Sequence, residues 1–187
     1  MASGTFDIKE FDRRMGGVID TLKRDFGGLR TGRASSKLLE PVVVEIYGQK
    51  MPINQVGTIS VPEPRMITVQ VWDRASVSAT DRAIREANLG LNPSIDGQIL
   101  RMTIPELTKE RRQELAKLAA KYAETARVAV RNVRRDANEL LKKLEKDSSI
   151  SQDDHRREQE KVQQLTDRFI KDIDQLLATK DTEINTV

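Results

Sequence analysis

Apolar positions fall into three stretches with a helical repeat. In the first, Phe11, Met15, Val18, Leu22, Phe26 and Leu29 follow one another at steps of three or four. The second runs Leu115, Leu118, Tyr122, Ala126, Ala129, Val133, Ala137, Leu140 and Leu144, and the third Val162, Leu165, Phe169, Ile173 and Leu176. This alternation predicts three helices, each with the narrow apolar seam that closes a coiled-coil-like bundle. The second helix is expected from about Thr108 to Lys146, roughly 60 Å at 1.5 Å per residue. The polar break Asp147-Ser-Ser-Ile150 reverses the chain and Ser151-Gln-Asp-Asp154 reads as a capping box, so the second and third helices become antiparallel neighbours. Gly16-Gly17 falls inside the first helix and Gly27-Gly28 at its end. Each interior glycine costs about 1 kcal/mol against alanine, so fraying or a bend is expected near Gly16.

Between the first two helices the period changes. Residues 32–105 hold all six prolines, and the runs 42–47, 57–61 and 66–72 are short and rich in β-branched residues, as strands are. Tyr47-Gly-Gln-Lys50 suits a hairpin turn. Residues 78–88 read as a helix stopped by Gly90 and Pro93, and two last strands are expected around Ser94 and over 98–104. The fold class is therefore α+β: an elongated antiparallel three-helix bundle (1–31 and 106–187) with a small, β-rich α+β domain inserted at 32–105. The chain crosses twice between the two parts, near Arg30-Thr-Gly-Arg33 and near Ile104-Pro-Glu-Leu107. Paired crossings form either a hinge or a rigid elbow, and the small apolar supply favours the hinge.

Composition narrows the chemistry. A third of the 187 residues are charged and only 4% are aromatic, which suits thin seams better than a deep core. There is no cysteine, so disulfides and thiolate catalysis are excluded. The start of the chain lacks a signal-peptide pattern, no apolar run is long enough to span a bilayer, and a cytoplasmic location is expected. The single histidine, His155, stands among charged neighbours and reads as a solvated helix residue, without the converging partners a base or metal ligand needs. No phosphate-cradling loop or nucleophile motif is present, and Asp153-Asp154 suit a helix start better than a metal. No catalytic residue, metal or cofactor is expected.

Charge is distributed unevenly. The net charge is +3 overall, yet residues 106–147 carry 12 Lys and Arg against 8 Asp and Glu. At about 100° per residue, Arg127, Arg131 and Arg134 fall within roughly 60° of one another, Arg135 and Lys142 flank them on one side and Arg112 on the other. By the same count the apolar seam lies about 140° away. Such a row can be no more than a solvated face. Against that, arginine outnumbers lysine here, and its planar fork suits phosphates. Few acids stand near the row (Glu124 and Asp136 are nearest), and Asn132, Asn138 and the small residues leave room for an RNA backbone. Without aromatics to stack on, the row favours structured RNA recognised by shape.

Four stretches resemble the bacterial ribosome recycling factor family: Arg30-Thr-Gly-Arg-Ala34, Asn88-Leu-Gly-Leu-Asn-Pro93, Leu107-Thr-Lys-Glu-Arg-Arg112 and Arg127-Val-Ala-Val-Arg-Asn-Val-Arg-Arg-Asp-Ala-Asn138. The resemblance covers essentially the whole chain, in order. It implies an L-shaped, tRNA-like monomer that binds the post-termination 70S ribosome across the A and P sites of the 50S particle. With elongation factor G and GTP, members split the subunits and free messenger and tRNA, with a functional link to initiation factor three. By resemblance, Arg131 and Arg134 lead the contacts to 23S RNA of the 50S subunit, supported by Arg112, Arg127 and Arg135. Arg30, Thr31, Gly32 and Arg33, with Pro105, Glu106 and Leu107, correspond to the hinge. The glycine pairs in the first helix depart from the family pattern. The competing expectation is a coiled-coil adaptor with no ribosomal role.

Overall fold

The computed structural model describes residues 5–186; residues 1–4 and 187, at the outer ends of the expected bundle segments, lie outside them. In chain order the elements are α1 (Ile8–Gly27), β1 (Val43–Ile46), β2 (Gln49–Pro52), β3 (Gly57–Glu63), β4 (Met66–Val71), α2 (Val77–Glu86), β5 (Ser94–Asp96), β6 (Ile99–Thr103), α3 (Lys109–Lys146) and α4 (Gln152–Thr186), with short 3-10 turns between. The chain divides into two compact units. One takes in the residues up to Arg30 together with Glu110–Thr186, and the other is Thr31–Lys109.

The helical unit is an up–down–up bundle. Contacts of α3 with α4 move backwards along α4 as α3 advances: Arg127 meets Asp174, Arg134 meets Gln163 and Glu145 meets His155. Helix α1 runs with α4, pairing Asp12 with Arg168 and setting Phe26 beneath the Lys180 ammonium, 5.9 Å from the ring centre. Phe11, Met15, Ile19, Leu22 and Phe26 of α1, together with Val162, Leu165, Phe169 and Ile173 of α4, supply much of the core. Ile19 takes the place expected of Val18, which is half-buried. Helix α1 runs unbroken through Gly16-Gly17, contrary to the expected fraying. Its five buried side chains and the Asp7 cap, whose carboxylate accepts from the Lys9 N–H at 3.0 Å, offset the glycine cost.

The reversal between α3 and α4 is built by the backbone. Ser148 takes a left-handed φ of 59°, and the Ser149 N–H donates to the Leu144 carbonyl at 2.8 Å, so the last turn of α3 closes in a Schellman-type cap. Ser151 then caps α4, its hydroxyl accepting from the Asp154 N–H at 3.0 Å while the Asp154 carboxylate accepts from the Ser151 N–H at 3.5 Å. Hydrogen bonding to the carboxylate from the Ser151 side chain and backbone N–H, with the nearby Arg157 guanidinium, holds the Asp154 carboxyl below its ordinary range. His155 is not solvated as expected: its ring is mostly covered and Nδ1 pairs with the Glu145 carboxylate across the reversal.

The inserted unit is a four-stranded antiparallel sheet, ordered β3-β4-β6-β5, and a β1–β2 ribbon. Alternation aims Ile67, Val69 and Val71 of β4 and Leu100 and Met102 of β6 into one core with Ile84 of α2 and Val44 of β1. Strand β2 was not expected as a separate element. Its first two residues are polar, only Met51 faces the core and Pro52 ends it, and pairing with β1 places them. The turn lies one residue earlier than expected, because Ile46 pairs with Gln49 and leaves Tyr47-Gly48 as the loop, both at positive φ.

Candidate nucleic-acid interface

Buried positions on α3 are Leu115, Ala119, Ala123, Ala126, Val130, Val133, Ala137, Leu141 and Leu144. Four differ from the expected seam: Leu118, Tyr122, Ala129 and Leu140 are half-buried, and the residue after each is buried instead. Each step of one residue turns the helix by about 100°, so the seam centre lies about 90° from the arginine row, where about 140° was expected. The reason is that α3 packs on two helices and its alanines widen the apolar arc. Tyr122 and Ala129 line a shallow groove against Gly17, Val18 and Thr21 of α1, while Arg127 and Arg134 lie toward α4.

The five arginines singled out on α3 therefore divide. Arg127 is only 20% exposed and clamps helix to helix: its Nε and Nη2 donate to Asp174 Oδ1 at 3.0 and 2.7 Å, and Nη1 donates to Glu124 Oε2 at 3.0 Å. The Asp174 bond, ahead of Glu124, raises its pKa above the ordinary guanidinium value. Arg134 is half-buried and donates to Gln163 Oε1 at 3.2 Å. Arg131 and Arg135 stand roughly 40° and 80° round the helix from Arg127, on the side away from Arg134, and are exposed. Arg131 keeps one long contact, 3.5 Å, to Glu124, and among the described residues Arg135 has no hydrogen-bond or ion-pair partner. Arg112 lies in the first turn of α3 and is half-buried.

The open basic face thus centres on Arg131 and Arg135. Asn132 is exposed on it, whereas Asn138 is half-buried with its Oδ1 covered and offers no accessible amide oxygen. Asp136 turns away from the row, paired with Arg14 of α1 at 2.6 Å. Sequence reading missed Asp174 and Gln163, because both come from α4 and no pattern within α3 marks them. It also passed over Val128, an apolar side chain 46% exposed beside these arginines, whose signal was its absence from the seam.

The hinge residues divide as well. Arg30 ends one unit and Thr31 opens the other. Thr31 is buried and Arg33 exposed. Gly32 has a φ of 74°, and an added Cβ would lie 3.0 Å from Leu107 Cγ, so only glycine fits there without displacing Leu107. Both crossing segments meet the β3–β4 turn: the Ala34 N–H donates to the Pro64 carbonyl at 2.6 Å and the Ile104 N–H to the Arg65 carbonyl at 2.8 Å. Pro105 and Glu106 are exposed, and Glu106 pairs with Arg65 at 2.6 Å. Among the described residues no cluster of three or more His, Asp or Glu could hold a metal ion, and no helix is long and apolar enough to cross a membrane.

The profile of a family described as ribosome recycling factor matches residues 22–184. A ribosome-recycling factor of Parvibaculum lavamentivorans is 63% identical over 184 residues, 98% of each chain. One of Rhodospirillum centenum is 65% identical over 178 residues, 95% of this chain and 96% of the relative. Among solved structures, a solution structure of the ribosome recycling factor is 47% identical with a TM-score of 0.69, covering 96% of this chain and 95% of its own. A second, 44% identical at a TM-score of 0.60, comes from models of the T. thermophilus ribosome recycling factor and E. coli elongation factor G bound to the E. coli post-termination complex. It covers 95% of this chain and 96% of its own.

Proposed function

The chain belongs to the ribosome recycling factor family, and from that premise we propose how its residues carry out the family's work. The chain binds the post-termination ribosome on the large subunit. With elongation factor G and GTP it splits the subunits to release messenger and tRNA. In this reading the factor breaks no covalent bond and works as a cytoplasmic monomer, and GTP hydrolysis belongs to elongation factor G. The adaptor alternative gains no support from the matched family or its relatives.

The anchor on the large subunit is the outer face of α3. Arg131 and Arg135 supply phosphate contacts to 23S RNA, Arg134 and Arg127 border them, and Arg112 extends the row toward the start of the helix. The observation that carries this assignment is the exposure of Arg131 and Arg135 with almost no neutralising partner. Unpaired guanidinium groups keep their donors for a phosphate ligand and lose little by desolvation of existing pairs. A rigid rod holds the row in line, so several phosphates are met at once and the affinity falls steeply with salt.

The inserted unit is the moving part. It joins the rod through two crossings, at 30–33 and 105–107, and elongation factor G pushes on it once the rod is anchored. A subunit-splitting assay with elongation factor G and GTP, with and without the chain, tests the function. Splitting that proceeds equally well without the chain would refute it. Co-sedimentation with large subunits over a salt titration tests the anchor, and binding insensitive to salt would refute that.

A further inference from the structure

The β3–β4 turn holds both crossing segments, one through its backbone alone and the other through a side chain as well. Arg65 donates through Nη2 to the Ile104 carbonyl at 3.2 Å and through Nε to the same oxygen at 3.4 Å, while Nη1 donates to Glu106 Oε1 at 2.6 Å. Its own carbonyl accepts from the Ile104 N–H at 2.8 Å, so residues 65 and 104 are joined through both backbone and side chain. Beside it the Pro64 carbonyl accepts from the Ala34 N–H at 2.6 Å, which ties the other crossing to the same turn. Leu107 closes the arrangement over Gly32. Arg65 is 31% exposed on its side chain and Glu106 71%, so the Ile104 carbonyl, part-buried, is the stronger hold.

We propose that Arg65 is a clasp: it keeps residues 32–34 and 104–107 as part of the inserted unit, so that bending between the units is confined to 30–31 on one crossing and 108–109 on the other. The two compact units meet along the chain at those places, after Arg30 and after Lys109. The clasp rests on the hinge reading above and narrows it, moving the pivot off Gly32, Pro105 and Leu107. Its mechanical value is that a push on the sheet reaches the pivot without being absorbed by slack in the crossing segments. Arg65 is a positioning residue, since it acts through the crossings and touches neither RNA nor nucleotide. A lysine cannot replace the fork, because three donors in fixed geometry serve two acceptors here.

The test compares Arg65→Ala, Arg65→Lys and the unmodified chain at full length. In Arg65→Ala, amide hydrogen exchange at Ile104 and Ala34 is expected to accelerate about tenfold, the loss of one charge-assisted hold. Exchange at Val69 in the core strand should be unchanged. With no native cysteine, Glu86→Cys and Gln164→Cys place one spin label in each unit, and the distance distribution between them should broaden in Arg65→Ala. Affinity for the large subunit should hold, because the anchor is on α3, while splitting slows. Arg65→Lys should restore the salt bridge to Glu106 and recover only part of the protection at Ile104. Exchange at Ile104 and Ala34 that is the same in Arg65→Ala and the unmodified chain would overturn the clasp, whatever the ribosome assays show. A single fixed distance in the unmodified chain, unaltered in the variant, would instead remove the hinge on which the proposal rests.

Discussion

Replacing Arg127 and Arg131 by alanine, one at a time, separates the structural from the ligand-binding arginines of α3. Arg127 makes two hydrogen bonds to Asp174 and one to Glu124, and only 20% of its side chain is exposed. Hydrogen bonds to charged groups contribute about 1.5–3 kcal/mol when well shielded, and exposed pairs about 0.2–1 kcal/mol. Asp174 and Glu124 are 54% and 56% exposed, which pulls the value toward the lower range. Adding the packing of the buried stem, Arg127→Ala should cost about 1 kcal/mol. For a bundle of this size that lowers Tm by about 4 °C. Arg131, half-exposed with one 3.5 Å contact, should change stability by less than about 0.5 kcal/mol. Thermal unfolding followed by circular dichroism reads the difference, and large-subunit binding should weaken in both variants. Asp174→Ala should reproduce the Arg127 loss, and the double variant should lose less than the two singles together. Equal melting temperatures for Arg127→Ala and Arg131→Ala would refute the division.

The remaining predictions concern other parts of the molecule. Ser148→Gly should stabilise the bundle by about 1 kcal/mol, read as a raised Tm, because a non-glycine residue at φ 59° carries a steric cost that glycine avoids. Tyr47 donates its phenol to Asp73 Oδ2 at 3.2 Å, a bond that holds the neutral phenol and raises its pKa above the ordinary value, with the nearby charge adding to it. Any stability from this bond is present below the phenol's unfolded pKa and lost as pH rises through the folded one. Ultraviolet titration should therefore show late phenolate formation that Asp73→Asn brings earlier, and identical titrations would count against the pairing. Arg135→Ala should lower the salt slope of large-subunit binding by about 1 without moving Tm, as loss of one phosphate contact requires. An unchanged slope would remove Arg135 from the anchor.

The three helices were legible from the alternation of threes and fours, because that spacing has no other stable use in a chain so poor in aromatics. Which residues form the seam of α3 was less legible. Alanines at 119, 123, 126, 129 and 137 make its apolar arc wide, and packing against two neighbours, not side-chain size, decided that Ala119 is buried and Leu118 only half-buried. Strand β2 escaped notice because Gln49 and Lys50 show no alternation and the ribbon's pairing holds them. The arginine row was visible as charge, but its division into clamp and open face needed Asp174 and Gln163, which stand 47 and 29 residues away from their partners. Arg65 gave no signal at all: a lone arginine in a turn acquires meaning only from a carbonyl 39 residues later.

The pairing of α1 with α4 sets an order of events during synthesis. Asp12 and Arg168 are 156 positions apart, so α1 leaves the ribosome with the side that meets α4 uncovered and waits for the last helix. At roughly 5–20 residues per second that wait lasts on the order of ten to thirty seconds. The inserted unit has all of its strands within Thr31–Lys109 and can close its own core long before then. It would be the first part of each new molecule to become solid, and the rod that carries the basic row the last. Truncated nascent chains ending just short of α4 should therefore hold a protease-resistant sheet beside two helices that are still cleavable.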